Sequence, residues 1–287
     1  MVIIFLLGLC ACGGTIGSSP TPAPTARLTM TPTLTATPFP PAVTVNGEEI
    51  SQAEFGAELA RYLQAQTGMG NTVSTATARQ TVMNDAVDTL LLAQGASTYG
   101  YTVDDATLQG RIDKLTSQVG GADALKTWES AHGYTDADFR SDLRRQVTAA
   151  WMRDRVTASV AANDDQVHVK QILLYNADEA QQVLADLQTG TTFDDLAVQY
   201  DRVTQGDLGW FPRGYLPDPA IETAAFALQP GQYSAVIQDE IGYHILYLVE
   251  RDPARPLSPD ALLTLQARAL QDWLTQRRKE STISYAP

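Results

Sequence analysis

Cysteine and positive charge are both scarce in this chain of 287 residues. The two cysteines stand at positions 10 and 12, so the rest of the sequence has no thiol for a disulfide framework, a cysteine zinc site or a cysteine nucleophile. The 20 basic residues are outnumbered by 33 acidic residues, which gives a net charge of -13. A chain this acidic does not attract a phosphate backbone. We therefore expect no nucleic-acid partner.

Histidine is also rare. The three histidines, His132, His168 and His244, share no metal-ligand spacing with one another, and no carboxylate pattern joins them. The sequence therefore predicts neither a metal site nor any other cofactor.

The only long apolar run near the start covers residues 2–11. About ten residues are too few to cross a bilayer, which takes about twenty, but they suit the core of a signal peptide. We therefore predict an export signal over residues 1–11. Residues 9–12, Leu-Cys-Ala-Cys, resemble the bacterial lipobox, which implies that Cys12 carries lipid. The alternative is a secretory signal that is cleaved without lipidation.

A stretch rich in Ser, Thr, Pro and Ala follows, with Arg27 as its single charge. Such a composition cannot bury enough apolar surface to fold, and its prolines keep the chain extended. Residues 12–42 are therefore predicted to be a disordered, lipidated tether. This places the protein outside the cytoplasm, anchored by its lipid to the bacterial cell membrane.

Order is predicted to begin at Val43, with a helical module over residues 43–162. Capping signals start helices at Ser51, Thr102 and Thr135, and a stripe of apolar residues places another helix near residues 77–97.

The pattern changes near residue 163. Residues 167–174 and 243–249 are typical of strands, and residues 178–188 and 193–200 of amphipathic helices. We predict an α+β domain over residues 163–252. A linker over residues 253–256 then leads to a last helix in segment 253–287, with Leu263, Leu270 and Leu274 on one face. That face is expected to pack on the helical module, which would make the α+β domain an insertion.

A series of linked motifs runs through the α+β domain. In chain order they are Gly206-Asp207-Leu208-Gly209-Trp210-Phe211, Arg213-Gly214, Ala224-Ala225-Phe226-Ala227-Leu228, Pro230-Gly231 and Gly242-Tyr243-His244-Ile245. Together they resemble the parvulin (PpiC-like) family of peptidyl-prolyl cis-trans isomerases. With the Val-Asn-Gly-Glu-Glu-Ile segment at 45–50 and the helical module, the arrangement resembles exported foldases of the SurA and PrsA type.

This resemblance implies rotation about X-Pro peptide bonds in unfolded or newly exported polypeptides, with no covalent step and no cofactor. It also implies an apolar pocket for the proline ring, in which Ile221 stands where the family usually has phenylalanine. The pocket residues implied by the motifs are Leu208, Leu216 and Ile221, with Phe226 close beneath.

The resemblance also assigns a polar set. His244 matches one family histidine, whereas Gln171 occupies the position of the other and cannot titrate near neutral pH. His168 lies three residues before Gln171, so strand alternation places it on the opposite sheet face. Asp201 is the candidate for the acidic position, although it could equally cap the end of a helix.

Three hypotheses about function remain open. The first is an exported isomerase of X-Pro bonds. The second is a weakly active or inactive holdase chaperone that keeps the parvulin fold to bind polypeptides, and the third is a structural subunit of an envelope complex.

Overall fold

The computed structural model describes residues 41–286. The predicted signal peptide, Cys12 and the tether lie outside these residues, except for positions 41 and 42. The helices are α1 Gln52–Gly68, α2 Thr75–Thr98, α3 Asp105–Val119, α4 Ala122–Ala131, α5 Asp136–Thr157, α6 Ala177–Gln188, α7 Phe193–Tyr200, α8 Pro219–Ala227 and α9 Pro259–Glu280. The strands are β1 Val43–Val45, β2 Glu48–Ile50, β3 Asn163–Leu174, β4 Asp207–Pro212, β5 Ile237–Gln238, β6 Tyr243–Pro256 and β7 Ile283–Tyr285.

Helices α1 to α5 form the helical module, with α2 packed against both α1 and α5. The predicted caps at Ser51 and Thr135 are confirmed, since each side chain accepts a backbone N–H of the first helical turn. Helix α3 begins later than predicted, because Asp104, not Thr102, is its capping residue. Its neighbour α4 has no side-chain cap and was not predicted.

A small sheet joins the two ends of the described chain. Its strand order is β2-β1-β7, and both pairings are antiparallel. Val43 and Val45 of β1 are fully buried and pack with α1 and α2 in one hydrophobic cluster. The last strand is therefore part of the helical module.

Helix α9 packs against α2 and α5. Leu270 and Leu274 contact the cluster of α2 and α5 side chains, as predicted, and Trp273 joins them. The prediction for Leu263 is wrong, because that side chain is 64% exposed. An ion pair of 2.7 Å between Arg278 and Asp88 of α2 adds a polar contact at the far end of the helix.

The α+β domain is built on an antiparallel sheet of order β4-β3-β6-β5. One face packs on α6 and α7, and the other packs on α8. The predicted linker at residues 253–256 is wrong, because these residues continue β6 and pair with the first residues of β3. The bidentate contact of Arg251 with Asp165, at 2.9 and 2.6 Å, ties the two polar strand ends together.

The predicted fold class is confirmed: a mainly helical module, closed by the C-terminal helix, carries an α+β domain between its parts. Within residues 41–286, no helix combines the length and the apolar character that a membrane crossing requires.

Candidate functional site

Gln171 and His244 lie on the sheet face that packs on α8. Alternation along β3 puts Gln171 on the same side as the buried Val167 and Val169, and alternation along β6 does the same for His244 with Leu246. Their side chains meet, with Gln171 Oε1 3.2 Å from His244 Nδ1. The two predicted polar residues therefore form one contact across neighbouring strands.

His168 is directed elsewhere. Its Nε2 lies 2.8 Å from Asp207 Oδ1, and its ring stacks on Trp210 with 5.5 Å between the ring centroids. This position agrees with the alternation argument that His168 cannot take the place of Gln171.

The second ring nitrogen of His244 faces a carboxylate. The histidine is 5% exposed, and its Nε2 lies 3.0 Å from Asp239 Oδ1. The oxygen lies within ion-pair distance but off the direction in which Nε2 could form a hydrogen bond, so Nε2 has no hydrogen-bond partner among the described residues. A buried nitrogen without a partner is unusual and calls for a physical explanation.

Asp239 organises the turn between β5 and β6. Its Oδ1 accepts the backbone N–H of Ile241 at 2.7 Å and of Gly242 at 2.9 Å. The Gly242 N–H is the main reason that the pKa of the Asp239 carboxyl is lowered, and the nearby His244 ring adds to the effect. The sequence analysis missed this residue. The signal was present, since Asp followed three residues later by Gly is typical of such turns.

The four predicted pocket residues lie together in one cluster between α8 and the sheet. Ile221 and Phe226 are each 5% exposed and form its floor, whereas Leu208 and Leu216 are half-buried at its edge. The guanidinium of Arg213 lies 4.0 Å from the centre of the Phe226 ring. An apolar patch with partly exposed leucines at its edge is suited to contact a proline ring.

Glu222 of α8 places Leu216 and was also missed. Its Oε2 accepts three consecutive backbone N–H groups, from Gly214 at 2.7 Å, Tyr215 at 3.1 Å and Leu216 at 3.3 Å. Gly214 also lies against Leu265 and Arg268 of α9. The pocket edge is thus held by the half-buried Glu222 carboxylate on one side and by the C-terminal helix on the other.

Asp201 ends α7, and its carboxylate serves its own loop. Its oxygens accept the N–H groups of Val203 at 2.9 Å and Thr204 at 3.0 Å, together with the Thr204 hydroxyl. These contacts, the hydroxyl first, lower the pKa of Asp201 to about 2. The loop returns at Gly206, whose carbonyl accepts the Gln171 N–H at 2.8 Å. Asp201 therefore supports Gln171 through the loop, and the structure records no direct contact between its carboxylate and His244.

A cavity of about 360 Å³ lies in the helical module, between α1, α2 and α5. Phe55, Tyr62 and Tyr134 supply apolar surface, and Arg61 and Arg145 are paired with glutamates at its wall. All residues that line this cavity belong to the helical module, and none belongs to the proline pocket. The helical module therefore has a concave surface of its own. Within residues 41–286 there is no group of three or more His, Cys, Asp or Glu side chains able to hold a metal ion.

Comparison with known families finds two separate matches, one before and one after residues 154–170. Residues 171–250 match the family described as the PPIC-type PPIASE domain, and residues 28–153 match the family described as the SurA-like N-terminal domain. His244, Gln171 and the four pocket residues all fall within the first match.

Individual relatives carry the corresponding names. The chain is 32% identical over 178 residues to foldase protein PrsA 2 of Bacillus anthracis, an alignment that covers 58% of this chain and 60% of the relative. It is 29% identical over 209 residues to chaperone SurA of Methylobacillus flagellatus, covering 59% of this chain and 47% of the relative. The chain thus spans no more than 60% of the length of either relative.

A crystal structure of peptidylprolyl isomerase (PrsA) from Bacillus anthracis aligns at 26% identity, with a TM-score of 0.41, over 66% of this chain and 94% of that one. The two family matches give this chain a SurA-like N-terminal domain followed by a PpiC-type peptidyl-prolyl isomerase domain.

Proposed function

We propose that this chain is an extracytoplasmic, lipid-anchored foldase that isomerises X-Pro peptide bonds and assists the folding of exported polypeptides. The observation that carries the proposal is the contact between His244 and Gln171 on the same sheet face as a cluster of four apolar pocket residues. The match of residues 171–250 to the PpiC-type family supports the reaction, and the match to the SurA-like domain supports a role with unfolded clients.

The reaction requires only non-covalent help. Rotation about a peptide bond has a barrier of about 18–20 kcal/mol, because the amide loses its partial double bond when it twists. A site that binds the twisted amide more tightly than the planar one lowers that barrier. Leu208 and Leu216 would contact the proline ring, while His244 and Gln171 would supply polar groups beside the twisting amide.

Binding and turnover should be separable in this site. We expect His244→Ala to lower kcat/KM for a proline tetrapeptide by roughly 10²-fold, the scale seen when one preorganised polar group that favours the transition state is removed. Peptide affinity should change little, because it depends on burial of the proline ring in the apolar pocket. The measurements are a protease-coupled isomerase assay and peptide titration of each variant.

Gln171→His is the matched gain-of-function variant. It should raise kcat/KM by adding a second imidazole beside His244, and the gain should vanish in the His244→Ala background. A gain that survives this double substitution would show that the two side chains do not act together. A parent protein that neither binds nor isomerises proline peptides would overturn the assignment of this site.

A holdase is the second candidate, favoured by the non-titrating Gln171 and by the cavity in the helical module. In that case the protein would suppress aggregation of an unfolded client at stoichiometric amounts, and His244→Ala would leave this suppression unchanged. Measuring aggregation and isomerisation on the same preparations separates the enzyme from the holdase.

Anchoring is proposed from residues 9–12 and the tether. We expect Cys12→Ala to move the protein from the membrane fraction to the soluble extracytoplasmic fraction, because the acyl chains of Cys12 would supply the membrane affinity. Cys10→Ala is the matched control and should leave fractionation unchanged. If Cys12→Ala stays as firmly membrane-bound as the parent, the lipid site is wrong.

A further inference from the structure

Both nitrogens of the His244 ring face protein side chains. Nδ1 lies 3.2 Å from Gln171 Oε1, and Nε2 lies 3.0 Å from Asp239 Oδ1. The side chains of His244 and Asp239 are 6% and 9% exposed, so water has little access to the contact. The His244 ring is therefore held between the neutral amide of Gln171 and the carboxylate of Asp239.

We propose that Asp239 is the positioning residue of this site, and that its carboxylate keeps the proton of His244 on Nε2. A carboxylate only accepts hydrogen bonds, so the nitrogen beside it must carry the proton. A buried N–H without a partner is unfavourable, and a small rotation of the ring would align Nε2–H with Asp239 Oδ1. This inference deepens the proposed isomerase site and rests on it for its functional consequence.

The position of the proton then fixes the role of Gln171. In the neutral ring with Nε2–H, the other nitrogen is an acceptor. Gln171 must then present its NH₂ group to Nδ1, which requires only the exchange of the amide N and O positions. Since both nitrogens are occupied by protein groups, the ring shapes and polarises the pocket and does not deliver a proton to the substrate.

The geometry of the turn makes this pairing rigid. The same Oδ1 that faces His244 also accepts two backbone N–H groups, from Ile241 and Gly242. The carboxylate therefore cannot swing away without breaking the turn that leads into β6. Because His244 follows in β6, turn and ring are fixed together.

Nitrogen NMR tests the proposal directly. The chain has three histidines, so a long-range ¹H–¹⁵N spectrum of the uniformly labelled full chain contains three imidazole patterns, and His244→Ala identifies the one of interest. We expect the Nε2 shift of His244 in the parent to be that of a protonated nitrogen. An unprotonated Nε2 overturns the proposal without any variant at position 239.

Asp239→Asn is the decisive substitution, because an amide oxygen can keep both turn hydrogen bonds while the charge is lost. We expect the His244 ¹⁵N shifts to change and kcat/KM to fall roughly tenfold, which corresponds to about 1.4 kcal/mol, at unchanged peptide affinity. Asp207→Asn is the matched control. It removes the carboxylate beside His168 and should alter only the His168 pattern.

The two proposals can fail separately. If the parent shows no isomerase activity but Asp239→Asn changes the His244 shifts, the positioning role stands and the isomerase function falls. If the shifts of His244 are identical in parent and Asp239→Asn, the positioning role is overturned whatever the activity. A loss of activity in Asp239→Asn with unchanged shifts would likewise overturn it, because the effect would not pass through the ring.

Discussion

Gly206→Ala is expected to destabilise the α+β domain by about 3 kcal/mol or more. A Cβ at this position would lie 2.1 Å from the carbonyl oxygen of Gln171. The backbone at position 206 and the backbone of β3 would therefore have to move apart. The residue also has a φ of +74°, which costs a residue with a side chain about 1–2 kcal/mol, and overpacking adds about 1–3 kcal/mol. Hydrogen exchange of the β3 and β6 amides, together with denaturant unfolding, measures the effect.

Gly209 provides the control for this prediction. Its φ is +72°, nearly the same as that of Gly206, but no atom outside its neighbours lies within 4 Å of a Cβ placed there. Gly209→Ala should therefore lose only about 1–2 kcal/mol from backbone strain. If both variants lose the same unfolding free energy, the clash between the new Cβ at position 206 and Gln171 adds no cost, and the prediction is wrong.

The helices of the fold could be predicted where a local signal marks their start. Ser51 and Thr135 cap α1 and α5 through their own hydroxyl groups, and such a contact depends only on residues three positions away. Helix α4 escaped prediction because Gly121 precedes it and makes no side-chain cap. In that case the helix is held by packing, as Leu125 is 9% exposed in the cluster with α3 and α5.

The strands that were missed are those stabilised by distant residues. Strand β7 has three residues and pairs with β1 at the other end of the described chain, so no local pattern marks it. The polar ends of β3 and β6 lack alternating apolar residues, and Pro253 and Pro256 argued against a strand. These ends are held by pairing across the chain, including two hydrogen bonds from the Gln166 amide to the carbonyls of Arg255 and Pro256.

The candidate site shows the same division between local and distant information. His244, Gln171 and the pocket leucines could be located because they lie in motifs of fixed spacing. Asp239 and Glu222 act by accepting backbone N–H groups of a turn and a loop. The sequence does not distinguish an acidic residue with this role from the other acidic residues of the chain. For Asp201 the sequence left open an acidic site position or a helix end, and the structure shows its carboxylate accepting N–H groups of its own loop at the end of α7.

Helix α9 connects this site to the helical module. Near its start, Leu265 and Arg268 lie against Gly214 at the pocket edge. One to two turns later, Leu270 and Trp273 pack on the cluster formed by α2 and α5. We therefore propose that α9 and β7 complete the helical module, and that the stability of α9 on α2 also limits the mobility of the pocket edge.

Trp273→Ala is expected to destabilise the helical module by about 2–3 kcal/mol. Truncation of a fully buried tryptophan costs about 3–5 kcal/mol, and the loss is smaller here because the Trp273 ring is half-buried. The ring packs on Gly95 of α2, where a Cβ would lie 2.8 Å from two ring carbons. Leu263→Ala, on the same helix but 64% exposed, should change the unfolding free energy by less than about 0.5 kcal/mol. Denaturant unfolding of the full chain, followed by hydrogen exchange in α2, measures both.

A double-mutant cycle with Gly95 shows whether the loss comes from this contact. In the parent, Gly95→Ala should destabilise the module, because the new methyl group displaces the Trp273 ring. In the Trp273→Ala background the same change should stabilise it by up to about 1 kcal/mol, the difference in helix propensity between alanine and glycine. This reversal of sign is expected only if the two residues touch. If Gly95→Ala has the same effect in both backgrounds, α9 is not seated on α2 through Trp273, and the proposed link between the C-terminal helix and the pocket edge fails with it.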